Sequence, residues 1–289
     1  MLTATDLSFA YGRHAVLRHV SLDIQAGDMV GVLGPNGCGK TTLLRLLSGA
    51  LRPNDGAVAL DGRPLHGVDR RTLARRIAVV AQHTHTTFDY SVQEIALMGR
   101  YPHLGPFQVE GPDDLAAVRT ALEATGTDHL AARPFSTLSG GEQQRVAIAS
   151  ALAQLDPGRA PSTDSRLLLL DEPTASLDLR YQIEVAGLIA RLHADARAAG
   201  SPIAVVTSTH DLRFAASVCT TVVLLRAGAV VAAGRPIDVL TAAAVAEVYG
   251  LPQDVAARVM PALEALSCRT RCAGGCRCSS GAASRQSSP

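Results

Sequence analysis

The stretch GPNGCGKTT, residues 34–42, decides how this chain is read. Its spacing, Gly34-x4-Gly39-Lys40-Thr41, is that of a phosphate-binding loop. Ahead of it, Met29, Val30, Val32 and Leu33 form an apolar run that predicts a buried strand. Behind it, Leu43, Leu44, Leu46 and Leu47 recur at helical spacing. Strand, glycine loop and helix are the setting this motif needs. Gly34, Gly37 and Gly39 permit the curl that turns successive N–H groups toward phosphate oxygens, and Pro35, Asn36, Cys38, Thr41 and Thr42 complete the loop. The following helix adds the positive end of its dipole. Lys40 is the only lysine; every other basic side chain among the 27 Lys and Arg is arginine. A compact ammonium is kept where a wide guanidinium fork is a poor substitute. The implied ligand is a nucleoside triphosphate. Cys38, between two glycines and beside Lys40, is expected to face the phosphate pocket with a lowered thiol pKa.

A chain of 289 residues holds one large α/β domain or two small ones. With 3% aromatic residues and no Trp, its core must be aliphatic. A net charge of +1 gives no electrostatic case for nucleic acid. The opening MLTATDLSFAYG lacks the basic start and apolar stretch of a secretory signal. No apolar run reaches the roughly 18–20 residues that cross a bilayer; the longest, Val222 to Ala233, is broken by Arg226 and Gly228 and predicts a hairpin. The expectation is a soluble, cytoplasmic chain to which another subunit supplies any membrane part.

Leu167 to Leu170 run straight into Asp171-Glu172-Pro173. Such a run predicts a strand buried on both faces of a parallel sheet, and ligands bind at the carboxyl ends of such strands. Asp171 and the Thr41 hydroxyl are then candidates for holding Mg²⁺, with Glu172 as the base that polarises an attacking water.

Between these elements lies Leu138-Ser139-Gly140-Gly141-Glu142-Gln143-Gln144. Ser139 and Glu142 make a capping box for a helix reaching Leu155, and two glycines bare the N–H groups at its start. LSGGEQQ resembles the signature of ABC-type ATPases. That resemblance covers about Met1 to Leu251 and implies an α/β fold: a RecA-like P-loop NTPase core, an antiparallel β subdomain and an inserted α-helical subdomain at about 83–150, all within residues 1–267. It further implies that ATP is sandwiched between the P-loop of one copy and Ser139, Gly140, Gly141 and Glu142 of another, in a head-to-tail dimer. Other positions match in order. Tyr11 would stack on adenine, Gln82 would touch Mg²⁺, Asp178 in Ser176-Leu177-Asp178 would cross the dimer interface, and His210 would contact the γ-phosphate. Catalysis falls to Glu172, His210 and Lys40, and Mg²⁺ binding to Thr41, Gln82 and Asp171.

Ser91-Val92-Gln93-Glu94 is a second capping box, and a further helix is expected over Asp114 to Thr125. GRYPH, residues 99–103, resembles importers of iron–siderophore complexes, heme and cobalamin. The Pro/Ser-rich loop at Asp156 to Arg166 resembles heme-import ATPases, which carry extra residues there. The function implied is ATP-driven import of heme or an iron–siderophore through a separate polytopic permease at the cytoplasmic face of the membrane, fed by a substrate-binding protein. An importer of cobalamin or another cargo, or an exporter, stays open. DNA-repair and chromosome ATPases need a long heptad insertion between Gln82 and Ser139, and translation-linked relatives need two cassettes; neither is present. Cys268, Cys272, Cys276 and Cys278 could bind zinc, but lack paired C-x2-C knuckles; residues 268–289 are expected to form a reduced, disordered tail.

Overall fold

Leu2 and Ala4 are buried while Thr3 and Thr5 face water, a period of two that shifts by one residue at Asp6 and resumes with Leu7 and Phe9 buried, so the first strand is one wall of a half-solvated sheet. Leu167 to Leu170 are all buried, the mark of a central strand covered on both faces. A computed structural model describes residues 1–82, 88–158, 164–175 and 177–258.

In chain order the strands are β1 (Leu2–Tyr11), β2 (His14–Ile24), β3 (Met29–Leu33), β4 (Asp55–Leu60), β5 (Arg63–Pro64), β6 (Ile77–Val80), β7 (Arg166–Asp171), β8 (Ile203–Thr209), β9 (Thr221–Arg226) and β10 (Ala229–Gly234). The helices are α1 (Lys40–Leu47), α2 (Arg70–Ala74), α3 (Val92–Met98), α4 (Pro112–Thr125), α5 (Gly140–Leu155), α6 (Leu179–Ala198), α7 (Leu212–Val218), α8 (Pro236–Val239) and α9 (Ala242–Tyr249). An antiparallel sheet runs β2-β1-β4-β5, and a six-stranded sheet runs β10-β9-β3-β8-β7-β6. In the larger sheet only the edge pair β9–β10, the expected hairpin, is antiparallel. Its turn uses Ala227 and Gly228 at φ 47° and 82°, as a tight hairpin turn requires.

Three apolar clusters hold these layers. One lies between the two sheets around α1; a second packs α5, α6 and α7 on the other face of the larger sheet; a third joins α3, α4 and α5. Helix α5 serves two of them, with Val146 and Ala149 turned to α3 and α4 and Ile148, Ala151 and Leu155 turned to the sheet. Ser91 and Ser139 form the expected capping boxes, and α4 starts two residues before Asp114. Gly126, at φ 64°, ends α4 in the left-handed conformation that suits glycine.

Arg100 is the polar anchor of the third cluster. Its Nε donates to Asp114 Oδ1 at 2.9 Å, and its Nη1 donates to the carbonyls of Ala153 at 2.7 Å and Asp156 at 2.8 Å. Asp114 also accepts the Gly111 N–H at 3.0 Å. Burial alone would raise the Asp114 pKa, but that N–H and the guanidinium hold it below the usual carboxylate value. Removing one partner strands a buried charge, so Arg100→Ala should cost about 3–5 kcal/mol of unfolding free energy. Denaturant titration by circular dichroism checks this; a loss under about 1 kcal/mol would mean that the pair behaves like a surface contact.

Candidate active site

Parallel pairing sets Leu33 of β3 beside Thr209 of β8, and Asp171 of β7 beside Ser208 of β8. The loops leaving these strands therefore open at one edge of the sheet, although their residues are far apart in sequence. After β3 the chain curls through Gly34, Gly37 and Gly39 at φ 158°, 79° and 109°. A Cβ at Gly34 would collide with the Leu225 carbonyl oxygen, whereas at Gly37 nothing lies within 4 Å and only the positive φ demands glycine. Pro35 is half-buried, Asn36 exposed and Thr42 buried in the first turn of α1.

The Lys40 ammonium is 5% exposed. It donates to the Gly34 carbonyl at 2.9 Å and the Pro35 carbonyl at 3.3 Å, and lies 3.3 Å from Glu172 Oε1. His210 Nδ1 stands 3.5 Å from the other Glu172 oxygen. Beside them the Thr41 hydroxyl donates to Asp171 Oδ1 at 3.1 Å. Lys40, Thr41, Asp171, Glu172 and His210, all expected from the sequence, thus form one contiguous constellation.

Ser208 is a member that sequence reasoning missed. Its hydroxyl donates to Asp171 Oδ1 at 2.6 Å and accepts the Glu172 N–H at 2.9 Å; the same N–H reaches the Ser208 carbonyl at 3.1 Å. Glu172 sits at φ 48°. A non-glycine residue in that region costs about 1–3 kcal/mol, and such strain gathers at functional sites. Ser208 therefore fixes one carboxylate through its side chain and the other through its backbone. The only hint in the sequence was a hydroxyl two residues before His210, which gains meaning once the β7–β8 register is known.

One expectation needs correction. Cys38 is buried, and burial pushes its thiol pKa up against the lowering influence of Lys40. The charge beside it would favour thiolate in water, but desolvation outweighs it. Its side chain belongs to the apolar cluster between the two sheets, with its sulfur beside Gly34, leaving the backbone as the part available to a phosphate.

The other expected residues lie around this constellation. Tyr11 is 46% exposed and makes a T-shaped contact with Phe9, ring centroids 4.9 Å apart. Gln82 follows β6 at the same sheet edge and is exposed. Ser139 and Glu142 are engaged with each other: the carboxylate accepts the Ser139 N–H and hydroxyl, both at 2.8 Å. Gly140 faces Leu177, and Gly141 has the Tyr181 ring where a Cβ would go. Asp178 caps α6 by accepting the Tyr181 N–H at 3.0 Å. The Ser139–Glu142 segment and the Asp178 loop therefore meet each other, while no hydrogen bond among the described residues joins them to the Lys40 constellation. Ser176, residues 159–163 of the Pro/Ser-rich loop and the tail cysteines lie outside the described residues. No helix among those described is long and apolar enough to cross a membrane.

The ABC transporter family model matches residues 17–175. The hemin import ATP-binding protein HmuV of Myxococcus xanthus is 45% identical over 240 residues, 83% of this chain and 86% of that protein. The ferric enterobactin transport ATP-binding protein FepC of Escherichia coli is 39% identical over 250 residues, 86% of this chain and 87% of its own length. Among solved structures, an inward-facing metal-chelate type ABC transporter aligns with TM-score 0.72 at 31% identity, covering 87% of this chain and 89% of that one.

Ser208→Ala removes the donor to Asp171 and one acceptor for the Glu172 N–H. Loss of such a supporting group should lower ATP turnover about 10–100-fold, with Ser208→Thr recovering most of it. The split is read from kcat at saturating ATP and from the Mg²⁺ concentration giving half-maximal rate. An alanine variant with unchanged values would show that Asp171 and Glu172 are held without Ser208.

Proposed function

This chain belongs to the ABC transporter family, and from that premise we propose that it is the ATP-hydrolysing subunit of an importer of an iron complex, heme in first place and iron–siderophore in second, acting through a separate permease. The observation that carries the enzymatic part is the contiguity of Lys40, Thr41, Asp171, Glu172 and His210 at one sheet edge. The hemin and enterobactin relatives support the cargo.

The glycine cradle and buried ammonium suit the β- and γ-phosphates of ATP. Lys40 now bonds to loop carbonyls and approaches Glu172; in the working site it exchanges those contacts for phosphate oxygens. Thr41 and Asp171 offer two hard oxygen donors 3.1 Å apart, a set that fits Mg²⁺, with Gln82 as a further donor. Held by these residues, Mg²⁺ would supply neutralisation of the charge on the transferred phosphoryl group. Glu172 accepts the proton of the attacking water, and His210, 3.5 Å away, orients that carboxylate and meets the γ-phosphate. Tyr11, half-exposed at the surface, stacks on adenine.

Ser139, Gly140, Gly141, Glu142 and Asp178 act on the nucleotide of a second copy in a head-to-tail dimer, a reading supported by their separation from the Lys40 constellation in the chain itself. Closing that dimer moves the helical subdomain, about residues 83–150 within a domain of 1–267, against the permease. The subunit then works at the cytoplasmic face of the membrane, and a substrate-binding protein delivers cargo from the other side.

Glu172→Gln should bind ATP yet hydrolyse it about 10²–10⁴-fold more slowly, since an amide cannot take the proton. It should also accumulate as an ATP-bound dimer by light scattering; a variant that stays monomeric when the wild type dimerises refutes the sandwich. For the cargo, proteoliposomes holding this subunit with its permease should accumulate hemin or a ferric siderophore on ATP addition. Uptake of cobalamin alone would overturn the iron reading and leave the ATPase reading intact.

A further inference from the structure

Away from the Lys40 constellation, a cleft of about 420 Å³ opens between α5 and α6. It is lined by three guanidinium groups, Arg145 from α5 and Arg180 and Arg191 from α6, together with Glu142, Glu184 and Tyr181. Both carboxylates are already engaged. Glu142 accepts two hydrogen bonds from Ser139, at 2.8 Å each, and Glu184 accepts one from Arg180 at 2.9 Å. Among the described residues, neither Arg145 nor Arg191 has a hydrogen bond or ion pair, and Arg145 Nε is buried with no partner. Buried polar groups without partners are rare, and each calls for an explanation.

We propose that this cleft binds a phosphate group, either free or carried on a small phosphomonoester. Two guanidiniums on facing helices, neither with a hydrogen-bond partner among the described residues, present planar forks that match phosphate oxygens, and with Glu142 and Glu184 counted the cleft keeps one net positive charge for an anion. The Arg145 Nε–H is the donor that such an oxygen satisfies. The position gives the site leverage. Helix α5 begins at the Ser139–Glu142 capping box and α6 begins at Asp178, so a bound phosphate ties together the two segments that meet through Gly140–Leu177 and Gly141–Tyr181. The inference stands on these residues alone and does not depend on the cargo.

The test is calorimetric titration of inorganic phosphate into the full chain saturated with Mg²⁺ and a non-hydrolysable ATP analogue, which fills the phosphate loop. Wild type should bind one phosphate per chain. Arg145→Gln and Arg191→Gln should each weaken binding by about tenfold or more, the loss expected of one charge-assisted contact, and Arg191→Lys should weaken it less. Glycerol phosphate and succinate are titrated in parallel. Tighter glycerol phosphate identifies the ester as ligand, and tighter inorganic phosphate identifies the free ion. Succinate binding as well as either, no heat with wild type, or wild-type affinity kept by both glutamine variants overturns the proposal. So does an Arg191→Gln protein that keeps phosphate binding but loses nucleotide-driven dimerisation, since the cleft is then a contact with a second copy.

Discussion

Three parallel strands, β3, β7 and β8, end side by side, and almost everything the site can do follows from that alignment. Parallel pairing demands long crossover connections, so the residues brought together come from three distant stretches of chain. Once their backbones are locked in register, Ser208 reaches Asp171 at 2.6 Å and the Glu172 N–H at 2.9 Å with no further adjustment. The aliphatic side chains on both faces clamp these strands between two apolar layers. The large apolar clusters are thus what fixes the polar distances.

Helix α5 occupies an unusual place because two faces of it are buried, one in the sheet cluster and one in the α3–α4 cluster. A helix buried on one side can roll; one gripped on two sides transmits displacement between its neighbours. Arg100 strengthens the grip by bonding the carboxyl end of α5 at Ala153 and just beyond it at Asp156, and His103 adds a 2.8 Å contact to the Gln154 carbonyl. The GRYPH stretch, read in sequence only through a family likeness, has here a structural task in tying the α3–α4 unit to the end of that helix.

Much of this was legible in the chain. The phosphate loop, the buried strand before Asp171, both capping boxes and the hairpin at 222–233 all rest on local rules, in which a residue's neighbours in sequence are its neighbours in space. What escaped was non-local. Ser208 matters because of a strand pairing, and Arg100 matters because α4 and α5 converge on it. Cys38 was misjudged for a related reason: the adjacent Lys40 charge is visible in sequence, but the apolar packing beneath the loop, which decides the thiol's protonation, is not.

The solitary lysine has a practical corollary. A lysine-specific protease has one place to cut this chain, and that peptide bond lies in the first turn of α1, behind a side chain only 5% exposed. The bond becomes accessible only when the phosphate loop and its helix come apart, so the appearance of two fragments times the opening of the nucleotide pocket itself. A single clock of this kind, built into the covalent chain and needing no label, separates local unravelling of the loop from events in the rest of the fold.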